Sequence, residues 1–248
     1  MAATTTKTSQ KKAGPKTEPI PALPLWRRGL VWARRGLFGL AAFYLTLIMI
    51  FSFAPPPGNL YQWSESWRLG GIQRQWVDWT EIAPVMARSV VAGEDANFCL
   101  HWGFDMTSIR DAIEKGSRRG ASTLSQQTVK NVFLWQGHSW ARKAMEAVMT
   151  PVVELMWTKR RILELYLNEA EFGEGIFGVQ AAAQAMFKLD AKDLTPLQAA
   201  RLAAVLPNPQ EWHAGKPGPY VRKRAEQIAS GAETIEVDGR AECFETVH

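Results

Sequence analysis

One uncharged apolar segment constrains this chain more than any other feature. Gly36–Ala54 contains 19 consecutive residues without a charged side chain. About 20 apolar residues in a helix are enough to span the hydrocarbon core of a bilayer. Arg34 and Arg35 directly precede the segment, and three prolines (55–57) follow it. Because Lys and Arg beside a span tend to remain in the cytoplasm, we expect the N-terminus inside and the rest of the chain outside the cytoplasm.

Two other export signals share some of these features. A cleaved signal peptide has a shorter apolar core and a small-residue cleavage site, which Ser52–Ala54 resembles. The pair Arg34-Arg35 resembles a twin-arginine signal. The proline triplet disfavours cleavage, so we favour an uncleaved single-pass anchor. The predicted organisation is a disordered basic cytoplasmic tail (1–35), a transmembrane helix (36–54), a proline-rich linker (55–70), a globular domain (71–230) and a C-terminal tail (231–248).

Charge and cysteine content exclude some classes of protein. The net charge is +5, but the first 35 residues alone carry +7, which leaves −2 for the remainder. A basic tail on an acidic domain disfavours nucleic-acid binding. The two cysteines, Cys99 and Cys243, lie in no Cys-x-x-Cys or Cys/His spacing, so a structural zinc site is not predicted. Burial statistics favour two buried or unpaired thiols over a disulfide.

Helical spacing dominates the segment after the prolines, and we see no alternating strand pattern. The fold class predicted from this pattern is mostly α. Thr195-Pro196-Leu197-Gln198 has the form of a capping box with proline at the first helical position. Pro151 is expected to kink or divide a long helix. The predicted helices lead from Ile82 into Glu94, from Asp105 to Gly116, from Ser122 or Thr123 to Phe133, from Ser139 to Asn168, from Thr195 to before Pro207, and from Tyr220 to Gly231.

The first candidate site lies where an apolar helix meets an acidic pair, Glu94-Asp95. Phe98 and His101 follow within a few residues. A carboxylate at such a place can lose solvent, which raises its pKa and makes it a better general base. The alternative is a surface acidic pair that caps the next turn, and spacing alone leaves the two readings evenly balanced.

Three further clusters combine polar and cationic residues. A helix start with small hydroxyls and amides at Gly120–Gln127 suits an anion, phosphate included. Each cluster alone is more often a solvated or salt-bridged helix face. Together they supply a second carboxylate, Glu146, and several cations, which suit chemistry at a sugar anomeric carbon with an anionic leaving group. The candidate cations are Lys130, Arg142, Lys143, Lys159 and Arg161.

Four motifs occur in order along the chain. They are E-D-x-x-F-x-x-H-x-G from Glu94, G-x-S-T-x-x-Q-Q-x-x-K-N from Gly120, R-K-x-x-E from Arg142 and K-x-R-I-L-E-x-Y-L-N from Lys159. They resemble the motifs of the peptidoglycan glycosyltransferases (glycosyltransferase family 51), in particular the monofunctional biosynthetic peptidoglycan transglycosylases. The similarity runs from about Trp76 to Arg224 and includes Ala170–Gly173 and Leu206–Pro209.

The resemblance implies a lysozyme-like, mostly α glycosyltransferase domain after a single transmembrane helix, at the outer face of the bacterial cytoplasmic (inner) membrane. It implies a growing lipid-linked glycan chain as donor and lipid II as acceptor, with inversion and release of undecaprenyl pyrophosphate. Glu94 would deprotonate the acceptor 4-hydroxyl. Glu146 would assist the leaving pyrophosphate, through a divalent metal (Mg or Mn) or through its basic neighbours. No organic cofactor is implied.

The resemblance also assigns roles to the remaining motif residues. Substrate or pyrophosphate would be bound by Lys130, Arg142, Lys143, Lys159, Ser122, Thr123, Gln126, Gln127 and Asn131. Supporting roles would fall to Asp95, Phe98, His101, Gly120, Arg161, Glu164, Tyr166 and Asn168.

Two rival functions remain open at this point. A lytic enzyme on a related fold needs one acidic glutamate and no cation cluster, and a silent scaffold needs neither glutamate. The segment after the anchor has no Ser-x-x-Lys and no Lys-Thr-Gly, so we expect glycan polymerisation without cross-linking. Expected partners are the membrane and other proteins of wall synthesis or division. Val132–Trp135 is predicted either to dip into the membrane interface or to pack in the core.

Overall fold

The computed structural model describes residues 25–114, 122–137 and 139–246. The chain divides into two compact units, residues 1–45 and 46–248. Helix α1, Leu25–Phe51, has 27 residues, which correspond to about 40 Å of helix and exceed the ~30 Å hydrocarbon core. Its Trp26–Phe51 portion is long and apolar enough to cross a membrane by length and composition. Residues 25–35 are therefore helical and not a disordered tail, whereas the first 24 residues lie outside the described part.

Most of the other described residues are helical, as predicted. The helices are α2 (Leu60–Leu69), α3 (Pro84–Glu94), α4 (Met106–Glu114), α5 (Leu124–Phe133), α6 (Trp140–Met156), α7 (Lys159–Glu169), α8 (Val179–Phe187), α9 (Pro196–Val205), α10 (Pro219–Val237) and α11 (Glu242–Glu245). Two of the predicted segment boundaries do not agree with these helices. The segment 55–70, predicted as a linker, contains α2, and α10 continues without a break past residue 231, where a tail was predicted.

Side-chain caps explain where several helices begin. Thr123 and Thr195 each form a capping box with the glutamine three residues later, so the start predicted at Ser122 or Thr123 falls at Thr123. Ser139 caps α6, as predicted. Pro151 was predicted to kink or divide this helix, and it does not divide it, because α6 continues through Pro151 to Met156. The predicted segment from Ser139 to Asn168 is instead divided between Met156 and Lys159.

A small sheet that the sequence did not predict accompanies the helices. Its strands are β1 (Gln73–Arg74), β2 (Glu171–Gly173) and β3 (Ile176–Phe177), in the order β1-β3-β2. Strand β1 pairs parallel with β3, and β2 pairs antiparallel with it. Strands of two or three residues are too short to show an alternating pattern, which is why the prediction missed them.

Two helical layers fix the positions of the motif residues. Helix α3 packs against α9 and α10, and α5 packs between α6 and α7. Small side chains allow the close approach in the first layer: Ala199, Ala200 and Ala203 of α9 are fully buried. A Cβ on Gly93 would lie only 3.1 Å from the Ile228 side chain, so glycine permits α10 to approach the end of α3. The two layers place the end of α3 near the start of α5.

A disulfide joins Cys99 to Cys243, with 5.7 Å between the two Cα atoms. The expectation of buried or unpaired thiols is therefore wrong. The two cysteines are 144 residues apart in sequence, and no spacing rule predicts a partner at that distance. Phe244, next to Cys243, is fully buried. The C-terminal residues to 246 thus belong to the packed domain rather than to a tail.

The apolar segment Val132–Trp135 follows the core-packing alternative for most of its length. Val132, Phe133 and Leu134 are buried, and only Trp135 is partly exposed. The Phe133 ring lies 5.9 Å from the rings of Phe51 and of Trp157. Core packing is therefore confirmed for Val132, Phe133 and Leu134, whose surfaces are covered by protein, and the interface alternative applies only to Trp135.

Candidate active site

Glu94 is the last residue of α3, and its side chain is only 13% exposed. Its Oε2 accepts a hydrogen bond from Gln127 Nε2 at 3.1 Å. In the part of the chain that the structure describes, its buried Oε1 accepts no hydrogen bond, although Arg224 Nη2 lies 3.6 Å away. Burial raises the pKa of Glu94, whereas Gln127, Arg224 and Lys130 act to lower it. The result is a partly desolvated carboxylate with one oxygen available to accept a proton.

The Asp95 side chain does not face the same groups as that of Glu94: it contacts His101 and the start of α5. Its carboxylate is within 2.9 and 3.1 Å of His101 Nε2 and accepts the backbone N–H of Leu124 at 2.9 Å. Leu124 is the first residue of α5, so Asp95 ties the Glu94 segment to the helix that carries Gln127. The reading of Glu94-Asp95 as a solvated surface pair is therefore wrong.

Tyr166 orients the amide that contacts Glu94. The Tyr166 hydroxyl donates to Gln127 Oε1 at 3.3 Å, which directs the Gln127 amino group toward the carboxylate. Burial, with the nearby Glu94 charge, raises the pKa of Tyr166 well above its usual value, so this hydroxyl keeps its proton and remains a donor. Tyr166 therefore supports the site through Gln127.

Glu146 lies within a cluster of cations. Its side chain is 3% exposed, Arg142 Nη1 donates to its Oε2 at 2.7 Å, and Lys143 Nζ contacts its Oε1. Lys143 also lies 3.5 Å from Ser122 Oγ. Burial lowers the pKa of Lys130, while the carboxylates of Glu146 and Glu94 act to raise it. Lys130 thus interacts electrostatically with both glutamates. The cations of this cluster could bind a negatively charged group.

A divalent metal held by protein side chains alone does not fit this cluster. Both oxygens of Glu146 contact cations, which oppose a metal ion electrostatically. Among residues 25–114, 122–137 and 139–246, no group of three His, Cys, Asp or Glu side chains could hold a metal ion. We therefore route no chemical step through a protein-bound metal.

Lys159, predicted to bind pyrophosphate, contacts Glu154 and the segment after Glu94. Its ammonium donates to Glu154 Oε1 and to the His101 carbonyl, both at 2.8 Å, and lies 4.4 Å from the centre of the Phe98 ring. Ser125 also donates to Glu154. These contacts occupy the ammonium group, so Lys159 holds the segment after Glu94 in place rather than facing the cations around Glu146.

Other residues of the motif that begins at Lys159 form hydrogen bonds to neighbouring segments of the chain. Arg161 donates to the carbonyls of Phe51 and Ala54 at 2.9 and 2.7 Å and pairs with Glu164 at 2.6 Å. Asn168 exchanges hydrogen bonds with the backbone of Val77 at 2.9 and 3.0 Å. These contacts are architectural and consistent with the supporting roles predicted for the three side chains.

Two cavities meet beside Glu94 and have Gln127 and Pro207 in common. One, of about 320 Å³, is mainly polar, and the other, of about 400 Å³, contains Glu94, Ser122 and Arg224. The first is lined by Asn59, Tyr61, Gln127, Lys130, Asn131, Gln136, Tyr166, Glu169, Ala170, Glu171 and Leu206–Gln210. Gln126, predicted to line the cleft, is instead buried in the capping box with Thr123. Gly120 lies outside the described residues.

Arg224 is the main site residue that the sequence did not reveal. It follows the Glu94 segment by about 130 positions, and its Nη2 also donates to the Gly93 carbonyl at 3.1 Å. It lies in a helix with an ordinary pattern of charges, so no motif marked it. Glu154, which anchors Lys159, was missed for the same reason.

The fold and the site define a class of protein. A helical domain holds a desolvated carboxylate beside a polar cleft and a second carboxylate among cations, with Lys130 near both, as expected for an enzyme acting at a glycosyl phosphate. Comparison with known proteins agrees: residues 64–233 match the family model described as Transglycosylase. The chain belongs to the transglycosylase family, and the mostly α, lysozyme-like fold class is confirmed.

Several relatives are similar over most of their length. A biosynthetic peptidoglycan transglycosylase of Jannaschia sp. (strain CCS1) is 60% identical over 213 residues, which cover 86% of this chain and 89% of the relative. Proteins of the same description from Stutzerimonas stutzeri and Pseudomonas aeruginosa are each 49% identical, covering 77% and 74% of this chain and 84% of either relative. The predicted recognition of this family is therefore confirmed.

Proposed function

We propose that this protein is a peptidoglycan glycosyltransferase that polymerises lipid II into glycan strands and releases undecaprenyl pyrophosphate. One observation carries the proposal: Lys130 lies near both the desolvated carboxylate of Glu94 and the cation cluster around Glu146. Ser122 gives a second link, because it lines the cavity that contains Glu94 and lies 3.5 Å from Lys143. The family match and the names of the relatives support it.

In the attacking half of the reaction, Glu94 accepts the proton of the acceptor sugar's 4-hydroxyl at its unbonded Oε1. The acceptor 4-oxygen that loses this proton attacks the anomeric carbon of the donor from the face opposite the phosphate, which inverts the configuration. Gln127 holds the other carboxylate oxygen and so fixes the direction of proton transfer. A base with a pKa raised by burial removes the proton more readily than a solvated glutamate.

In the leaving half, the bond between the anomeric carbon and the phosphate oxygen breaks, and negative charge develops on the pyrophosphate. Lys130, Arg142 and Lys143 stabilise that charge, and Glu146 holds Arg142 and Lys143 in position. We propose Mg²⁺ or Mn²⁺ as a cofactor that would be held mainly by the pyrophosphate oxygens of the substrate, a common mode for Mg²⁺, and would neutralise part of their charge. No organic cofactor is required.

A lipid-linked substrate is consistent with helix α1 as a membrane anchor. We place the N-terminus in the cytoplasm, because Arg34 and Arg35 precede the apolar segment, and the catalytic domain on the outer side of the cytoplasmic membrane. In this arrangement the cleft works on lipid II and the growing glycan at the membrane surface. Other proteins of wall synthesis or division are proposed as partners that supply cross-linking.

The test is the product formed from lipid II by the purified full chain. Native protein is expected to form glycan polymer and one undecaprenyl pyrophosphate per bond, and Glu94→Gln is expected to form none. Glu81→Gln is a matched control, because Glu81 is exposed and pairs only with Lys192 among the described residues. Shortening of preformed glycan without polymer formation would instead favour the lytic rival and refute the proposal.

A further inference from the structure

The segment that carries Glu94 is held from outside by the C-terminal residues. We call residues 94–103 the base loop and residues 238–246 the C-terminal clamp. Arg240 Nη1 donates to the Ala96 carbonyl at 3.0 Å. Three residues further along each segment, Cys99 and Cys243 form the disulfide. The Phe244 ring lies 6.4 Å from the ring of Phe98, which is fully buried. The clamp therefore contacts three successive parts of the base loop.

The clamp is itself fixed to helices α7 and α3. Arg160 of α7 donates to the Phe244 and Glu245 carbonyls at 2.8 and 2.6 Å. Arg88 of α3 pairs with Glu245 at 2.9 Å. The Phe244 ring also lies 6.3 Å from Trp79, edge to face. These contacts hold Phe244 and Glu245 in place, and the neighbouring Cys243 therefore fixes the position of the base loop through its disulfide bond to Cys99.

On its inner side, the base loop is tied to the catalytic helices. Asp95 joins His101 to the start of α5, and Lys159 donates to the His101 carbonyl while covering Phe98. The base loop thus lies between α5, which carries Gln127, and the clamp. A shift at Phe98 would reach Glu94 through only four residues of backbone.

The clamp lies beyond the part of the chain that defines the family. The family model matches residues 64–233, and the clamp begins at residue 238. The motifs quoted for the family likewise end before it. Positioning of the base by the clamp is therefore a property that the family match does not supply.

We propose that Cys243 and Phe244 are positioning residues for Glu94 and that the Cys99–Cys243 disulfide makes the rate of glycan transfer depend on redox state. The inference rests on the proposed function. Both cysteines are half-buried, so a small reductant can reach them. Dithiothreitol would transfer two electrons and two protons to the disulfide, giving two thiols and its own cyclic disulfide.

The expected effect is on turnover rather than on binding. Among the described residues, Cys243 and Phe244 line neither the polar cavity nor the cation cluster around Glu146, so the Michaelis constant for lipid II should change less than about twofold. Small misplacements of a catalytic group are costly, so kcat should fall at least about tenfold on reduction and recover on reoxidation. The Cys99→Ser/Cys243→Ser variant should have the low kcat in either condition and no response to dithiothreitol.

Loss of a disulfide also lowers stability, so a second readout separates positioning from unfolding. Hydrogen exchange should become faster in the base loop on reduction and stay unchanged in α8, which is buried away from the clamp. Phe244→Ala should reproduce both effects with the disulfide intact. In Phe244→Leu, which keeps most of the apolar contact, kcat should remain close to the native value.

Three results would overturn the inference. One is an unchanged kcat after both thiols have been titrated as free, with polymer formation intact, which leaves the proposed function standing. Another is parallel loss of kcat, lipid II affinity and α8 protection, which indicates general destabilisation. Absence of polymer from the oxidised native protein would instead refute the proposed function, and the inference with it.

Discussion

Removal of the Arg224 charge should shift the pH dependence of this enzyme. Arg224 Nη2 lies 3.6 Å from the buried Oε1 of Glu94, and the positive charge favours the ionised carboxylate. In Arg224→Gln the charge is lost while a polar side chain remains. Arg224→Lys keeps the charge and serves as the matched control.

The magnitude follows from the separation of the two groups. Two unit charges 3.6 Å apart interact by about 5 kcal/mol at an effective dielectric constant of about 20. The Arg224 side chain is 26% exposed, and solvent screening should reduce this to about 1–3 kcal/mol. Since 1.36 kcal/mol corresponds to one tenfold step, the ionisation of Glu94 should become about 10-fold to 100-fold less favourable.

The assay is kcat/KM for lipid II polymerisation as a function of pH. Glu94 acts in its ionised form, so a raised pKa moves the acid limb of the profile to higher pH. Arg224→Gln should therefore be impaired at neutral pH and regain activity as the pH rises, whereas Arg224→Lys should follow the native profile. An Arg224→Gln profile that is lowered equally at every pH, or an acid limb that does not move, would refute the reasoning.

Two further predictions concern stability and its link to the site. Arg74→Met should cost about 3–5 kcal/mol of unfolding free energy in urea, because the buried Glu169 carboxylate loses its cation, whereas Lys192→Met at an exposed pair should have no measurable effect. Thr123→Ala and Thr195→Ala should each cost about 1 kcal/mol through loss of a helix cap, measured in the same way. Only Thr123→Ala should also lower kcat, and equal activity in the two variants would contradict this.

Local chemistry accounts for the parts of the fold that the sequence predicted. A hydroxyl followed three residues later by glutamine satisfies the free N–H groups of a helix start, and this located Thr123 and Thr195 correctly. The apolar spacing before Glu94 predicted α3, and the four motifs contain both Glu94 and Glu146. Such signals depend on neighbours within a few residues, which a single sequence displays directly.

The missed features depend on residues distant in the chain. Cys243 lies 144 positions from Cys99, and Arg224 lies 131 positions from the Gly93 carbonyl that it contacts. The family resemblance predicts Lys159 as a pyrophosphate ligand, whereas its partner Glu154 lies in no motif that the sequence marks. Only tertiary packing decides which cations face the cleft and which are neutralised beside it.

The central claim is that Glu94 is the base of glycan synthesis, and single-turnover transfer by Glu94→Gln tests it most directly. The amide has the same shape as the carboxylate but cannot accept the proton. We predict a fall in the rate of bond formation of about 10²- to 10⁴-fold, the range of general base catalysis, with lipid II affinity nearly unchanged. A transfer rate within about tenfold of native would contradict the assignment.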